Sequence, residues 1–197
     1  MENERLRKQI DFILEADKEK NILRRTHLSG NGRRENDAEH AWHMAIMIYL
    51  LKEYANEEFD MAKAMLMALI HDIVEIDAGD TYAFDAKGLE TQDAREEQAA
   101  KRLFGLLPED QGEELKSLFE EYEANKTPEA RFVRVMDNFQ PLILNNSNNG
   151  RDWIEHGIGK SQVMQRHIST KLGSNVIWEC SEEIIEDHVR KGNLKDE

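Results

Sequence analysis

The stretch Met61-Ala-Lys-Ala-Met-Leu-Met-Ala-Leu-Ile-His-Asp-Ile-Val-Glu-Ile-Asp-Ala-Gly-Asp80 decides the architecture of this chain. Its first ten residues carry one charge and no Gly or Pro, and they are apolar almost all round, the mark of a helix at the centre of a core. Asp60 is positioned to cap it, and the helix is expected to run through Asp72. His71-Asp72 then brings an imidazole and a carboxylate to the helix end, followed by Glu75 and Asp80. Acids are unfavourable at a helix C-terminus, where the dipole prefers cations. Grouped carboxylates cost energy unless exposed, protonated or neutralised, and a divalent cation is the most economical neutraliser. The cluster therefore reads as a metal site.

Working outward, helical patterns dominate. Asp37 is placed to cap a helix over about 38–54, with Met44, Ile48 and Leu51 on its apolar side and His40 in its first turn. Before it, Gly30-Asn-Gly32 breaks the periodicity, so 21–36 reads as a loop carrying Arg24, Arg25, Arg33 and Arg34. Leu6, Ile10, Ile13 and Leu14 define a first amphipathic helix that ends near Lys20 and covers the bundle. Downstream, Ala78-Gly79 turns the chain and 82–90 reads as a loop able to close over a site. Helices follow over 91–107, ending before Pro108, and 113–124; Thr127-Pro128-Glu129 opens another that runs to about Leu144. After the polar break Asn145–Gly150, two helices are expected, over 153–172 and 174–191, without clustered chemistry.

The chain has 197 residues, 40% of them hydrophobic, enough for one domain with a sizeable core. Three prolines and a wealth of Ala, Leu, Met, Glu and Lys favour helix, so the expected fold class is all-α, one domain over residues 1–197. The net charge of -14 argues against a nucleic-acid polymer or an anionic membrane as partner, since both require a positive face. An anionic substrate then needs local positive charge, for which a metal and the arginines of 24–34 are the candidates. Cys180 is the single cysteine, which rules out an internal disulfide and a Cys-rich zinc site and suits a reducing compartment. No apolar signal core or membrane span is seen, so a cytoplasmic location is expected.

Two further positions carry chemistry. His40 lies in Glu35-Asn-Asp-Ala-Glu-His-Ala-Trp-His43, and Asp137 in Arg131-Phe-Val-Arg-Val-Met-Asp-Asn138. A buried unpaired carboxylate at Asp137 would cost several kcal/mol or take up a proton; metal ligation satisfies it, and the competing explanation is an ion pair with Arg131 or Arg134. His43 follows His40 at i+3 and is assigned to the surface or behind the ligands. Two imidazoles and two carboxylates suit Mn, Co, Fe, Zn or Ni without choosing among them.

The order His40, His71-Asp72, Asp137 resembles the HD-domain metal-dependent phosphohydrolases, whose helical bundle it implies. Glu-x-x-His, His-Asp-x-x-Glu, Gly79-Asp80-Thr81 and Arg-Phe-x-x-x-x-Asp are similar to the 5'-deoxynucleotidase group, over about residues 23–144. The resemblance implies His40, His71, Asp72 and Asp137 as metal ligands and Glu75 as the catalytic carboxylate. It implies Arg25 as the arginine that orients phosphate, and Asp80-Thr81 as a substrate-binding turn. Some members have Arg-Trp where this chain has Arg25-Thr26, which bears on the choice between ribose and deoxyribose. The resemblance also implies a homodimer.

The function expected is hydrolysis of small phosphomonoesters, foremost nucleoside 5'-monophosphates, with a divalent cation (Co, Mn, Mg, Zn, Fe or Ni) and a second Mg at Glu75 and Asp80. Alternatives are a phosphodiesterase or nucleotide triphosphohydrolase of the same superfamily, and a non-catalytic helical module tied by its metal. Cyclic-dinucleotide members carry Gly-Lys soon after His-Asp, where this chain has Ile73-Val-Glu-Ile76. A purely structural metal leaves Glu75 and Asp80 unexplained.

Overall fold

The computed structural model describes residues 3–197 and is a helical bundle with one small hairpin. Helix α1 (Glu4–Ala16) is capped by Asn3, which accepts from the Leu6 N–H, and it runs into a 3-10 turn over Asp17–Asn21. It covers the bundle with little apolar burial. Ile13 and Leu14 are exposed, and α1 is held instead by Arg5 on Asp110 and Gln9 on Gln111.

Residues 21–36 contain more order than a loop. β1 (Leu23–His27) and β2 (Arg34–Asn36) pair antiparallel. Gly30 and Asn31 both take positive φ at the turn, a conformation that these two residue types tolerate best. The break in periodicity at Gly30-Asn-Gly32 is thus a turn, and the pairing of its arms is set by contacts far along the chain. Asn148 Nδ2 donates to the His27 and Leu28 carbonyls at 3.2 and 3.0 Å, and its Oδ1 accepts from Asn31 N–H at 2.8 Å.

α2 (Asp37–Leu51) starts one residue earlier than expected. Asn36, not Asp37, is the cap: its side chain accepts from Glu39 N–H while Glu39 reaches back to Asn36 N–H, a capping box. Asp37 is consequently helical and fully buried. α3 (Met61–Ile70) is capped by Asp60 as expected and lies at the centre of the core, with Ala64, Met67 and Ala68 fully buried. Met44 and Ile48 of α2 and Phe132, Val133 and Met136 of α7 (Pro128–Ser147) close around it, so Met44, Met67 and Met136 all belong to the core. His71 is the C-cap of α3, and the chain turns into α4 (Glu75–Ala78), ended by Gly79 at φ 76°.

Further boundaries differ from the sequence reading. α5 (Ala86–Phe104) begins at an Asp85 cap, which shortens the expected 82–90 loop, and α6 (Glu109–Ala124) starts directly after Pro108. α7 continues past Leu144 to Ser147 with Pro141 inside it. The stretch expected as one helix over 153–172 is split into α8 (Arg151–His156), α9 (Lys160–His167) and α10 (Thr170–Gly173). Gly157, at φ 64°, stops α8. Gly173 lets α10 approach α7 closely, since a Cβ there would sit 2.6 Å from the Arg131 carbonyl oxygen. α11 (Asn175–Arg190) completes the bundle, and its Ile177 and Ile185 join the same core.

Candidate metal centre

Three helices deliver the expected ligands to one point. His40 comes from the first turn of α2, His71 and Asp72 from the end of α3, and Asp137 from the middle of α7. His40 Nε2 lies 3.3 Å from Asp137 Oδ1 and 4.0 Å from Asp72 Oδ2; His71 Nε2 lies 3.1 Å from Asp72 Oδ1 and 3.9 Å from Asp137 Oδ1. His40, His71 and Asp137 are buried, with 0%, 3% and 4% of their surface exposed.

The hydrogen bonds on the far side of each ring say which edge faces the carboxylates. His71 Nδ1 is 2.8 Å from the Ala68 carbonyl, which can only accept, so Nδ1 carries the proton. His40 Nδ1 is 3.0 Å from Gln140 Oε1, and the orientation of that amide follows from its Nε2 donating to Glu35 Oε2 at 2.8 Å. Gln140 Nε2 also lies 3.2 Å from His43 Nδ1, which puts His43 behind the ligands. Both Nε2 edges therefore converge on Asp72 and Asp137. His71 Nε2 has no hydrogen-bond partner among the described residues. Burial favours a neutral ring, yet Asp72 and Asp137 outweigh it and hold His71 up at about 10; burial, then Arg24, pushes His40 down to about 4. The carboxylates demand a positive charge at the edge where a metal would bind. Imidazole Nε2 backed by an Nδ1–H hydrogen bond is the usual form of a metal-ligating histidine, so the donor set fits a divalent cation.

A second carboxylate group adjoins the first. Asp37, Asp72 and Glu75 offer oxygens within 4.8 Å of one another. Arg24 is their counter-charge: Nη1 donates to Asp72 Oδ2 at 2.7 Å and lies 3.4 Å from Asp37 Oδ1. Glu75 is pushed up to about 12 by burial, then by Asp72 and Asp37. Glu75 Oε2 and Asp37 Oδ2 are buried without a hydrogen-bond partner among the described residues. Asp80 is also raised, chiefly by burial.

These groups open into a pocket lined by Arg25, Thr26, Asp80, Thr81, Tyr82 and Phe84, so the expected substrate-side residues share one cavity with His71, Asp72, Glu75 and Asp137. Arg25 is exposed, with its guanidinium 5.9 Å from the Tyr82 ring centre. Arg33 is engaged elsewhere, paired with Glu39. The alternative explanation for Asp137 holds in part: Arg134 Nη1 is 3.7 Å from Oδ2, whereas Arg131 pairs with Glu57.

Several site residues escaped sequence reading. Tyr122 OH donates to Asp137 Oδ2 at 2.9 Å, and Arg166 Nη2 reaches the same oxygen at 3.2 Å. Asn145, Asp152, Trp153, Val163 and His167 complete the wall, so residues 145–167 form part of the pocket. Only Gln140 and Arg134 carry a local signal, lying at i+3 and i-3 from Asp137 on α7.

The model of the HD domain family matches residues 16–178. The chain belongs to the HD-domain family. Membership of this family implies a divalent metal, in keeping with the donors described above. Among curated relatives, the chain is 36% identical over 109 residues to the 5'-deoxynucleotidase HDDC2 of Bos taurus, covering 55% of this chain and 52% of that protein. It is 35% identical over 130 residues to the HDDC2 of Homo sapiens, covering 66% and 61% respectively. The match thus spans about half to three-fifths of those relatives. Over nearly its whole length the HD-domain chain is similar to a solved structure, a predicted metal-dependent phosphohydrolase of Magnetospirillum magnetotacticum MS-1: 44% identity, TM-score 0.92, covering 97% of this chain and 96% of that one. No helix among the described residues is long and apolar enough to cross a membrane.

Proposed function

We propose that this HD-domain protein is a metal-dependent phosphohydrolase that cleaves small phosphomonoesters, foremost nucleoside 5'-monophosphates, to nucleoside and phosphate. One observation carries the reading: two Nε2 edges and two carboxylates converge beside an open pocket that His71, Asp72 and Asp137 line together with Glu75. A structural metal would have no use for Glu75 or for a cavity leading to it. The named relatives, two 5'-deoxynucleotidases and a predicted metal-dependent phosphohydrolase, point the same way.

In this reading His40, His71, Asp72 and Asp137 hold the cation, drawn from Co, Mn, Mg, Zn, Fe and Ni. When bound, it supplies Lewis acidity toward a phosphoryl oxygen and lowers the pKa of water toward about 7. Glu75 moves the proton. A carboxyl held up at about 12 by burial and by Asp72 and Asp37 can ionise once positive charge offsets Asp72. Arg25 is free to orient the phosphate, having no carboxylate partner among the described residues. Thr26, Asp80 and Thr81 line the pocket where the sugar would sit, and Thr26 stands where some relatives by resemblance carry a tryptophan. Glu75 and Asp80 together suit a second, weaker cation such as Mg.

The reading treats residues 1–197 as one HD domain, supported by a single hydrophobic core from Met44 to Leu194. It places the protein in the cytoplasm, in keeping with one free cysteine. It also pairs the chain as a homodimer: Trp42, Ile46, Tyr49 and Leu50 present an exposed apolar face on α2.

The test is phosphate release from a panel of ribo- and deoxyribonucleoside 5'-monophosphates by protein stripped and reloaded with single metals. Metal-dependent release supports the reading. Bound metal without release from any monophosphate overturns it in favour of a structural metal or of diester and triphosphate substrates.

A further inference from the structure

We propose that Arg166 of α9, seated beside Arg134 of α7, is an anion subsite that takes the phosphate of the substrate next to the metal-ligating face. The inference rests on the phosphomonoester reading and gives the C-terminal part of the chain a role in it.

Arg134 and Arg166 play different parts. Arg134 is a fixture: its guanidinium lies 3.8 Å from the Tyr122 ring centre, and Nη2 donates to Glu123 Oε1 at 3.1 Å and to the Tyr122 carbonyl at 3.4 Å. Arg166 has one partner among the described residues, Asp137 Oδ2 at 3.2 Å, and its side chain is 37% exposed. Asp137 Oδ2 does not depend on that contact, because Tyr122 OH already donates to it at 2.9 Å. Oδ1, meanwhile, faces the two imidazoles. A cation on the Oδ1 side leaves the Oδ2 contact in place, so Arg166 is held at the pocket wall with only Nη2 engaged among the described residues.

A planar guanidinium fork matches two oxygens of a phosphate. The backbone behind it is anchored, since Val163 and His167 of the same helix are buried at 1% and 4% exposure. The same pocket includes Arg25, which comes from the hairpin. Two guanidinium groups from opposite ends of the sequence thus border one cavity in a chain of net charge -14. That is the local positive charge an anionic substrate needs.

The experiment titrates inorganic phosphate into cobalt-loaded protein by calorimetry, for the natural chain, Arg166→Ala and Arg166→Lys, and measures cobalt affinity of each by competition with a chelator. Losing a charge-assisted contact should weaken phosphate binding about tenfold to a hundredfold in Arg166→Ala. Arg166→Lys should recover part of it, with cobalt affinity unchanged in both. Native phosphate affinity in Arg166→Ala overturns the inference. So does a loss of cobalt affinity that accounts for the phosphate effect, because Arg166 then acts only by holding Asp137. Arg166-dependent phosphate binding in a protein that hydrolyses no monophosphate keeps the subsite and removes the nucleotidase reading. Turnover of monophosphates with native phosphate affinity in Arg166→Ala does the reverse.

Discussion

Arg24 Nη1 donates to Asp72 Oδ2 at 2.7 Å, so the hairpin is tied directly to the second residue of the His71-Asp72 pair. The same guanidinium lies 3.4 Å from Asp37 and 3.8 Å from Glu35, both buried. One arginine therefore offsets a group of acids that would otherwise repel one another in a poorly solvated place.

Arg24→Met should destabilise the fold by about 3 kcal/mol, because it strands buried carboxylates without their cation. The double variant Arg24→Met/Asp37→Asn should recover part of the loss, since one stranded charge is gone. Urea denaturation of the three proteins checks both points; equal stability of Arg24→Met and the natural chain would mean that Arg24 is dispensable as a counter-charge.

Glu75→Gln should abolish phosphate release while the first metal stays bound, because Glu75 lies outside the group formed by His40, His71 and Asp72. Removing one acid from the Asp37–Asp72–Glu75 group should also leave the metal-free protein at least as stable as the natural one. Metal content by elemental analysis, read beside turnover, separates the roles: loss of metal in Glu75→Gln would make Glu75 a ligand instead of a proton carrier.

The convergence of His40, His71-Asp72 and Asp137 was legible in the sequence from their contexts taken together. His71-Asp72 follows an apolar helix, His40 sits in a capped first turn, and Asp137 lies in an apolar segment. Helix existence was likewise legible from periodicity, and boundaries shifted where a cap competed, as when Asn36 displaced Asp37. The partners of the ligands were not legible, because they arise from pairings across long stretches of chain. Tyr122 reaches Asp137 from α6, Arg166 reaches it from α9, and Asn148 organises a hairpin 120 residues upstream. No local pattern marks such residues. The polar run Asn145–Gly150 reads in the sequence only as a polar break for the same reason: the side chain of Asn148 answers groups that the sequence places far away.

Withdrawing the metal should lower the thermal midpoint. A ligand present at a hundred times its Kd stabilises the folded state by about 2.7 kcal/mol, provided the unfolded chain does not bind it. Dialysis against a chelator should therefore lower Tm by several degrees, and restoring cobalt or manganese should return it. An unchanged Tm would show that the convergence of His40, His71, Asp72 and Asp137 contributes no binding energy.

Asn148→Ala should loosen the hairpin selectively. It removes two donated bonds to the His27 and Leu28 carbonyls and the acceptor of Asn31 N–H. Each such bond contributes about 1 kcal/mol. Hydrogen exchange should accelerate at Asn31 and its neighbours while α3 stays protected, and the Michaelis constant for monophosphates should rise because Arg25 rides on the same hairpin. Uniform acceleration across the molecule would instead mean that the hairpin opens only with global unfolding.

Glu96 of α5, on the wall of the same pocket, gives a pH dependence of its own. Burial raises its carboxyl from 4.5 to about 7, opposed by the hydrogen bond from Gln92 Nε2 at 2.6 Å. A raised acid holds its proton longer in the folded state than in the unfolded one, so its contribution is fully present below about pH 4.5 and is lost as pH rises through 7. Glu96→Gln removes that slope and keeps a polar group beside Gln92. Its Tm should match the natural protein near pH 4 and exceed it at pH 8 by about 2–4 °C, corresponding to roughly 1 kcal/mol after solvent screening. Thermal melts of both proteins at the two pH values decide it: a gain of equal size at pH 4 and pH 8 would trace the effect to helix propensity or packing, and would remove Glu96 ionisation as its cause.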